Sequence, residues 1–433
     1  MNFIHNNIGY DLSINLIGYY HDLSNSVLRL NAYTQPSHWI STDVSANSDT
    51  SANTIMLTAY HKQEADTADI SGYRVDVSCN DLGWIEMPFV KATNTDADGS
   101  NNDISLNDLS ANMFYDISIN MLNKYDFSNN RIAVTYTTRP SNFSRDDISQ
   151  NIPDTSSNGI VLKINKGQAV TSLDISKIRI DYSGNNYGNA TTGTILKICG
   201  GNISKDPNGV LTDISLNDIS ANTRYDLSIN MFNVNDISND FIDISAVTRP
   251  SDFVAADICQ NLVDSSANTI VFNIHNSQIS GTLDISGYQV DYSCNGLGIG
   301  NLTSSGTIYK TAVIKTADMS NSDVSLNDLS ANMTYDVSIN LIGRVYDLSN
   351  AKLFLQASTA PTAFDISDIS HNIADTSANT IVLKIHHHDN PGTLDMSAIT
   401  IYYSGTFGSS TETGTITKIM NEHTHLDNAP NAT

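Results

Sequence analysis

Short runs in which apolar and polar residues alternate cover most of this chain, and turns rich in Asn, Ser, Asp and Gly separate them. The run Tyr115–Asn120 is typical. Its tyrosine and two isoleucines share one face of an extended chain, while Asp116, Ser118 and Asn120 share the other. No segment shows the period of an amphipathic helix. The pattern therefore predicts an all-β protein of short antiparallel strands, each with one buried and one solvent-exposed face.

The alternation belongs to a long internal repeat. The motif Tyr-Asp-(Leu/Ile/Val)-Ser-Ile-Asn recurs at spacings of 105, 110 and 110 residues, with its tyrosines at Tyr10, Tyr115, Tyr225 and Tyr335. An aliphatic residue lies six positions before each tyrosine, at Ile4, Leu109, Ile219 and Leu329. Two further alternating runs recur with the same period. The first begins near positions 54, 160, 270 and 381. The second begins near positions 73, 178, 288 and 399. A period of this length is a common domain size.

A proline step opens each repeat, with an aromatic residue three positions after the proline, at Trp39, Phe143, Phe253 and Phe364. Proline cannot donate to a strand ladder, so it favours a domain start or a sheet edge. The tyrosine with an aliphatic residue six positions before it is typical of a tyrosine corner. Its hydroxyl is expected to bond the backbone just upstream and to lock the crossover between two sheets.

The stretch Leu109–Tyr115, followed by Asp-Ile-Ser-Ile, Asn123 and the exit Thr138-Arg139-Pro140, resembles the fibronectin type III repeat. The resemblance covers essentially the whole chain. It implies seven-stranded sandwiches with sheets ABE and C′CFG. Two features depart from the family: the Pro-Gly before the tyrosine is absent, and the usual core tryptophan of strand B is replaced by Leu57, Leu162, Phe272 or Leu383. Cadherin-like repeats, of similar length and with acidic loops, are the nearest alternative.

The repeat divides the chain into five parts. Residues 37–139, 140–249 and 250–360 are predicted to be complete domains, residues 1–36 to hold only strands F and G, and residues 361–433 to hold strands A to C′ or E. Linkers are almost absent, so neighbouring domains are expected to abut and form a rod.

The two end pieces are complementary in length. From Gly414 to Thr433 is 19 residues, and ten more reach Tyr10, which gives 29 against the 32 from Gly193 to Tyr225. Strands A to C alone expose a core face and an open sheet edge. The first segment carries the apolar side chains to fill them, at Ile4, Tyr10, Leu12, Ile14 and Leu16. Head-to-tail strand donation between copies is therefore expected. The alternatives are an excerpt from a longer array and closure of the two ends within one chain.

Composition narrows the function classes. The formal net charge of −24 argues against a nucleic-acid partner. No apolar run is long enough to span a membrane, and the first residues do not form a signal peptide. The four cysteines do not follow the repeat, so a disulfide framework is not expected, although a single Cys259–Cys294 bridge stays open. No nucleophile motif, phosphate loop or catalytic carboxylate pair is present, so we expect no enzyme.

Two segments contain candidate metal ligands. Asp96, Asp98 and Asp103 resemble a calcium loop in ligand type and spacing, but the terminal glutamate is missing and the segment occurs once, so a solvated turn is favoured. His386 and His388 belong to the only histidine cluster, and a polar loop is favoured over a Zn²⁺ or Ni²⁺ site because neighbouring strand residues face opposite ways. No cofactor is expected, with calcium as the weak exception. Sequons for N-glycosylation occur at Asn142, Asn189, Asn202, Asn301, Asn332 and Asn431.

These observations favour a non-enzymatic structural protein, a rod of sandwiches that polymerises into an extracellular or virion-surface fibre. Its main partner would be a second copy of itself. The alternative is an adhesion or ligand-binding module of a longer surface protein, with cell-surface or glycan ligands. A third hypothesis is a spacer in a secreted enzyme.

Overall fold

The computed structural model is built almost entirely of antiparallel strands. It describes residues 4–19, 26–64, 66–79, 83–93, 95, 98–166, 172–186, 189–199, 211–275, 278–279, 282–295, 303–312, 321–385, 394 and 396–419. Within these ranges a hairpin comes first, three sandwiches follow, and two separate two-stranded sheets come last.

The first hairpin pairs β1 (Gly9–Ile14) with β2 (Leu28–Tyr33). In its register Leu12 lies opposite Leu30 and Ile14 opposite Leu28, so the aliphatic side chains are aligned across the two strands.

The first sandwich begins with a 3₁₀ turn at Ser41–Asp43. Its strands are β3 (Val44–Ala46), β4 (Ile55–Lys62), β5 (Ile70–Cys79), β6 (Trp84–Glu86), β7 (Val90–Lys91), β8 (Asp98–Leu106), β9 (Phe114–Asn123) and β10 (Ile132–Thr137). One sheet has the order β3-β4-β8, and the other has the order β10-β9-β5-β6, with β7 also paired to β5.

The second sandwich begins with a 3₁₀ turn at Arg145–Asp147. Its strands are β11 (Ile148–Gln150), β12 (Gly159–Asn165), β13 (Ile175–Asn186), β14 (Asn189–Ile198), β15 (Leu211–Asn217), β16 (Arg224–Asn233) and β17 (Ile242–Val247). The two sheets have the orders β11-β12-β15 and β14-β13-β16-β17.

The third sandwich repeats this topology after a 3₁₀ turn at Ala255–Asp257. Its strands are β18 (Ile258–Gln260), β19 (Ile270–His275), β20 (Ile285–Asn295), β21 (Thr303–Thr311), β22 (Asn321–Leu326), β23 (Thr334–Gly343) and β24 (Leu353–Ser358). The sheets have the orders β18-β19-β22 and β21-β20-β23-β24.

The last segment forms two small sheets. It contains 3₁₀ turns at Ile366–Asp368 and Ile373–Asp375 and the strands β25 (Ile369–His371), β26 (Leu383–Ile385), β27 (Ala398–Phe407) and β28 (Ser410–Ile419). β25 pairs with β26, and β27 pairs with β28. By position in the repeat these are strands A, B, C and C′.

Each sandwich encloses one core between its two sheets. Leu57, Leu162 and Phe272 are fully buried at the strand-B position, where the family usually has tryptophan. The strand order confirms the prediction of an all-β tandem array of fibronectin type III-like sandwiches with sheets ABE and C′CFG. Of the described helices, none is long and apolar enough to cross a membrane.

One prediction about the strand faces was wrong. Asn120, which alternates with the core residues of β9, is buried rather than exposed to solvent, and so are Asn230 and Asn340 at the same position of the repeat. The Oδ1 atom of each has no hydrogen-bond partner in the structure. The alternation correctly predicts which face of the strand carries these side chains. It does not predict their burial, because large neighbouring side chains can cover a residue on the outer face of a sheet.

Candidate functional site: the joints and the exposed end faces

The motif tyrosines anchor the chain where it crosses between the sheets. The Tyr115 hydroxyl accepts a hydrogen bond of 2.8 Å from the backbone N–H of Ser110, five residues upstream. Tyr10, Tyr225 and Tyr335 accept the same bond from His5, Ser220 and Ser330. This contact ties the segment before strand F to strand F itself, so it holds the intervening residues in place.

A threonine at the end of strand G closes the same segment from the other side. The Thr138 hydroxyl donates to Ser110 O at 2.7 Å and accepts from Met113 N–H at 2.9 Å. Thr34, Thr248 and Thr359 bridge the corresponding backbone groups in the other repeats. Each corner is therefore a rigid platform at the end of its sandwich or hairpin.

An asparagine on this platform joins each unit to the next one. Asn112 accepts a hydrogen bond of 2.8 Å from Leu173 N–H through its backbone carbonyl, and its side-chain Nδ2 donates back to Leu173 O at 2.6 Å. Leu173 lies in the second sandwich, just before strand β13. We call this reciprocal pair an asparagine clasp. The other clasps are Asn7 with Ala68, Asn222 with Leu283, and Asn332 with Leu394.

A second asparagine supports the clasp at the first two joints. Asn233, at the end of strand β16, donates through Nδ2 to Asn112 Oδ1 at 3.1 Å, and Asn123 donates in the same way to Asn7 Oδ1 at 2.9 Å. Asn112 and Asn233 are fully or almost fully buried. At the third joint Gly343 takes the place of the second asparagine.

The first hairpin exposes an apolar face that the complete sandwiches bury. Ile14 is 48% exposed, whereas Ile119 at the same position of the repeat is 0% exposed. Leu12 and Leu16 are likewise exposed, while their counterparts Ile117 and Met121 are buried. Ile4, the aliphatic residue before the corner, is exposed as well. The hairpin therefore has the side chains of a sandwich core without a sheet packed on them.

The last segment exposes the complementary face. Ile381 on the way into strand B is 74% exposed, whereas its counterpart Ile160 is 0% exposed. Leu383 and the aromatic residue after the proline step, Phe364, are also exposed, although Leu162 and Phe143 are buried. Strands E, F and G pack on these positions in the complete sandwiches.

Two tyrosines show how the end faces correspond. In the second sandwich the ring of Tyr182 meets the corner Tyr225 edge to face, with centroids 6.1 Å apart. Tyr182 occupies the same position as Tyr403, and Tyr225 the same position as Tyr10. Tyr403 lies exposed in the last segment and Tyr10 lies half-buried in the first hairpin. Each has half of a contact that the second and third sandwiches make.

A polar groove lies at the joint between the second and third sandwiches. Asp181, Asp226 and Asp243 line it together with Arg224, and Tyr346 reaches it from the turn between β23 and β24. Its volume is about 850 Å³. Tyr346 has a φ of 57°, a conformation that costs energy for a bulky residue and that often marks a functional position.

The aspartates of this face are paired with hydroxyl groups across the strands. Asp226 accepts from Ser245 Oγ at 3.0 Å, and Asp243 accepts from Ser228 Oγ. In the register Asp226 lies opposite Ser245, and Ser228 opposite Asp243, so these pairs never set two carboxylates directly opposite each other. The recurring Asp-X-Ser triplets thus form a polar ladder on the outer face of the sheet.

The candidate calcium residues do not form a turn. Asp98 and Asp103 both lie on strand β8, and Asp96 is outside the described residues. The Asp103 carboxylate accepts a hydrogen bond of 2.8 Å from the Thr58 hydroxyl. The interpretation of this segment as a turn was therefore wrong, because residues 98–106 pair with strand B. Among the residues that the structure describes, no cluster of His, Cys, Asp and Glu is suited to a metal ion. His386 and His388 lie outside the described residues.

The sequons fall in different settings. Asn142 is exposed, and its Nδ2 donates to Asp240 at 2.9 Å. Asn332 is buried, and its Nδ2, the atom to which a glycan would be attached, donates to Leu394 O in the last clasp. Asn189 lies on strand β14, and Asn202, Asn301 and Asn431 lie outside the described residues. All four cysteines are free thiols, with Cys199 and Cys294 buried.

No protein-family model matches the chain, and no curated protein matches it. Solved structures that match include the FN1–FN3 domains of chicken CNTN1, at 13% identity and a TM-score of 0.28, covering 73% of this chain and 97% of that one. A two-domain fibronectin type III segment of chicken tenascin matches at 16% identity and a TM-score of 0.28, covering 48% of this chain and 98% of that one. TM-scores this low carry no argument, so the fold assignment rests on the strand order within each sandwich.

Sequence reasoning found the corner tyrosines and the apolar faces of the end segments. It missed the clasp asparagines and the groove. A signal for the clasps was present, because Ser-Ala-Asn recurs at 110–112, 220–222 and 330–332. The segment that each clasp meets, Thr-(Ala/Leu)-Asp or Ser-Leu-Asp, also recurs 61 or 62 residues downstream of the clasp asparagine.

Proposed function

We propose that this protein is a non-enzymatic structural subunit that assembles head to tail into an extracellular or virion-surface fibre. In this proposal residues 1–36 of one copy complete the sandwich begun by residues 361–433 of a neighbour, and residues 37–139, 140–249 and 250–360 are the intervening domains. The main support for this proposal is the pair of exposed apolar faces, one on each end segment. Their residues correspond position by position to the two halves of a complete sandwich core.

The energetic argument rests on apolar burial. Each large aliphatic side chain that moves from water into a core contributes about 1.5–3 kcal/mol. Leu12, Ile14 and Leu16 would contribute from the hairpin, and Ile381 and Leu383 from the last segment, all of which are exposed now. Strand addition would also pair the open edge of β27, because strand C pairs with strand F in every complete sandwich.

The occupant of each face is proposed to be a second copy. In the described parts of the two end segments, no strand of one pairs with a strand of the other, which supports a second copy over closure within one chain. Three sandwiches lie between the two segments along the chain. A contact between different ends of identical chains is heterologous, and it propagates into an open fibre unless its geometry closes a ring.

Electron microscopy with a competing peptide tests the proposal. Purified chain of residues 1–433 is imaged at rising concentration, alone and with a synthetic peptide of residues 1–36. Fibres that shorten as the peptide is added would support strand donation, since the peptide fills the acceptor without offering a new one. Chains that stay monomeric at high concentration would contradict it. Tyr10→Ala in the same chain is expected to weaken the joint by about 3–5 kcal/mol, the cost of a large aromatic truncation in a core.

The groove at Tyr346 favours a second candidate function, an adhesion module that binds a glycan. An exposed aromatic ring beside carboxylates and a guanidinium offers stacking and paired hydrogen bonds, which suit a sugar ring. Binding of the full chain to a glycan array would test this function. Loss of glycan binding in Tyr346→Ala would support this function. Glycan binding that the substitution leaves unchanged would exclude the groove as the binding site.

A further inference from the structure

The clasp asparagines all have a backbone conformation that few residues adopt. Their φ values are 56° for Asn7, 56° for Asn112, 50° for Asn222 and 56° for Asn332. Glycine adopts this left-handed conformation freely, and asparagine and aspartate tolerate it best among the other residues. Glycine lacks the amide that donates across the joint, and aspartate has no donor. Asparagine meets both requirements.

Every polar group of Asn112 is engaged. Its N–H donates to Arg139 O at 2.9 Å in its own sandwich, and its carbonyl accepts from Leu173 N–H. Its Nδ2 donates to Leu173 O, and its Oδ1 accepts from Asn233 Nδ2. Asn7 repeats this set with Gln35, Ala68 and Asn123. A buried polar network with every member satisfied favours a single geometry, because any other arrangement leaves buried groups without partners.

The clasp links two rigid parts. On one side, the tyrosine corner and Thr138 hold the segment that contains Asn112. On the other side, Leu173 lies directly before strand β13, and the next residue, Asp174, accepts from Val234 N–H at 3.0 Å. Each clasp thus joins the corner of one unit to the start of the central strand C of the next.

The same pair of positions is used at every joint. The clasp partners are separated by 61 residues at the first three joints and by 62 at the fourth. We propose that the four clasp asparagines are positioning residues, which fix each unit against the next in one orientation and make the chain a stiff rod of uniform repeat. This inference goes beyond the proposed function, because it holds equally for a fibre subunit and for a single adhesive stalk.

The third joint carries a variation that fits this role. Gly343 stands where Asn123 and Asn233 donate to the clasp, and a Cβ built on it would lie 3.9 Å from Asn222 Oδ1. Arg249 supplies another bond across this joint, donating through Nη1 to Ser349 O at 2.9 Å. Its counterpart Arg139 donates through Nη1 to Asp240 Oδ1 at 3.3 Å at the second joint, so a guanidinium joins the two sandwiches both where the supporting amide is present and where it is missing.

Distance measurements on the full chain test the inference. Nitroxide labels are attached through unnatural amino acids at the exposed positions Ser45 and Lys163, in the first and second sandwiches, and the distribution of their separation is recorded. The parent chain, with its clasps unmodified, is expected to give one narrow distribution of the distance between the two labels. Asn112→Asp and Asn112→Gly are expected to widen it roughly twofold or more, since each removes the donated bond to the partly buried Leu173 carbonyl.

Asn112→Gly tests the side-chain amide by itself, because glycine removes the amide but keeps the left-handed φ without strain. A distribution that stays narrow in both variants would overturn the inference. Asn222→Gly, at the next joint, is the matched control and should leave this distance unchanged. Labelling of the half-buried Cys79 thiol in the first sandwich and of the buried Cys199 thiol in the second checks that both sandwiches stay folded, which separates a looser joint from a loss of stability. The readout is orientation within one chain, so it is independent of whether fibres form.

Discussion

The ring of Tyr182 lies directly across Gly193 on the neighbouring strand. The two residues are paired in the register of β13 and β14, and a Cβ on Gly193 would lie 2.4 Å from the Tyr182 hydroxyl oxygen. The same relationship links Tyr292 with Gly306 and Tyr403 with Gly414. The glycine allows the ring to fold over the edge strand, and in the second and third sandwiches that ring then meets the corner tyrosine.

Gly193→Ala is therefore expected to destabilise the second sandwich by about 1–3 kcal/mol, because the added methyl group displaces the Tyr182 ring from its contact with Tyr225. The measurement is urea unfolding of the full chain, followed by labelling of the Cys199 thiol, which is buried in that sandwich. Cys294 reports the third sandwich in the same sample and should not respond. Gly405→Ala, where no atom lies within 4 Å of the new methyl group, is the control. Equal thiol exposure in the parent chain and in Gly193→Ala would contradict the role of the glycine.

Tyr225→Phe tests the corner itself. The substitution keeps the ring but removes the oxygen that accepts from Ser220 N–H at 2.8 Å. A partly buried backbone donor left without its partner costs about 1–3 kcal/mol, so the second sandwich should unfold at lower urea concentration. Exposure of the Cys199 thiol measures the effect, and exchange of the Ser220 amide hydrogen should accelerate. Unchanged exchange at Ser220 would show that the hydroxyl does not hold the corner.

The strands and corners were predictable because their signals are local. Tyr115 and the alternation after it specify strand F and its buried face within a few residues. The partner of Asn112 lies 61 residues away in another sandwich, so no local pattern specifies the clasp. The burial of Asn120 depends on side chains of neighbouring strands. Asp98 and Asp103 were assigned to a solvated turn because the segment lacks the terminal glutamate of a calcium loop and occurs once, but these residues pair with β4, and this pairing cannot be read from the local sequence.

The third sandwich is expected to lose stability in acid through Asp291. The Lys352 ammonium and the Thr307 hydroxyl both donate to its carboxylate and lower the pKa of Asp291 from 3.8 to about 2. A pKa that is lower in the folded state stabilises that state fully above about pH 4, and the stabilisation is lost as the pH falls through about 2. Because the Lys352 side chain is 44% exposed and solvent screens the ion pair, we expect the contribution to be on the order of 1 kcal/mol.

Asp291→Asn measures this contribution. The variant should unfold more readily than the parent chain at pH 7, and the difference should shrink as the pH falls through about 2 and be lost below it. Labelling of the Cys294 thiol with a reagent that reacts in acid reports the third sandwich, and Cys199 is the internal control. Lys352→Met should raise the pKa of Asp291 back towards its usual value, which a carbon-13 titration of the carboxyl group detects. A difference between variant and parent that stays undiminished below about pH 2 would assign the effect to packing.

The isoleucines Ile14 and Ile119 occupy the same position of the repeat in opposite environments, and this contrast gives the sharpest test of assembly. Ile14→Asp adds a charge to an exposed face, so the single chain should fold as before. Ile119→Asp buries an unpaired charge in the first sandwich, so exposure of the Cys79 thiol should rise sharply. If the hairpin enters a neighbour's core, Ile14 becomes the equivalent of Ile119 in the assembled state. Ile14→Asp should then abolish fibres in sedimentation and microscopy while leaving Cys79 labelling unchanged. Fibres that survive this substitution would show that the apolar face of the hairpin is not what joins the copies.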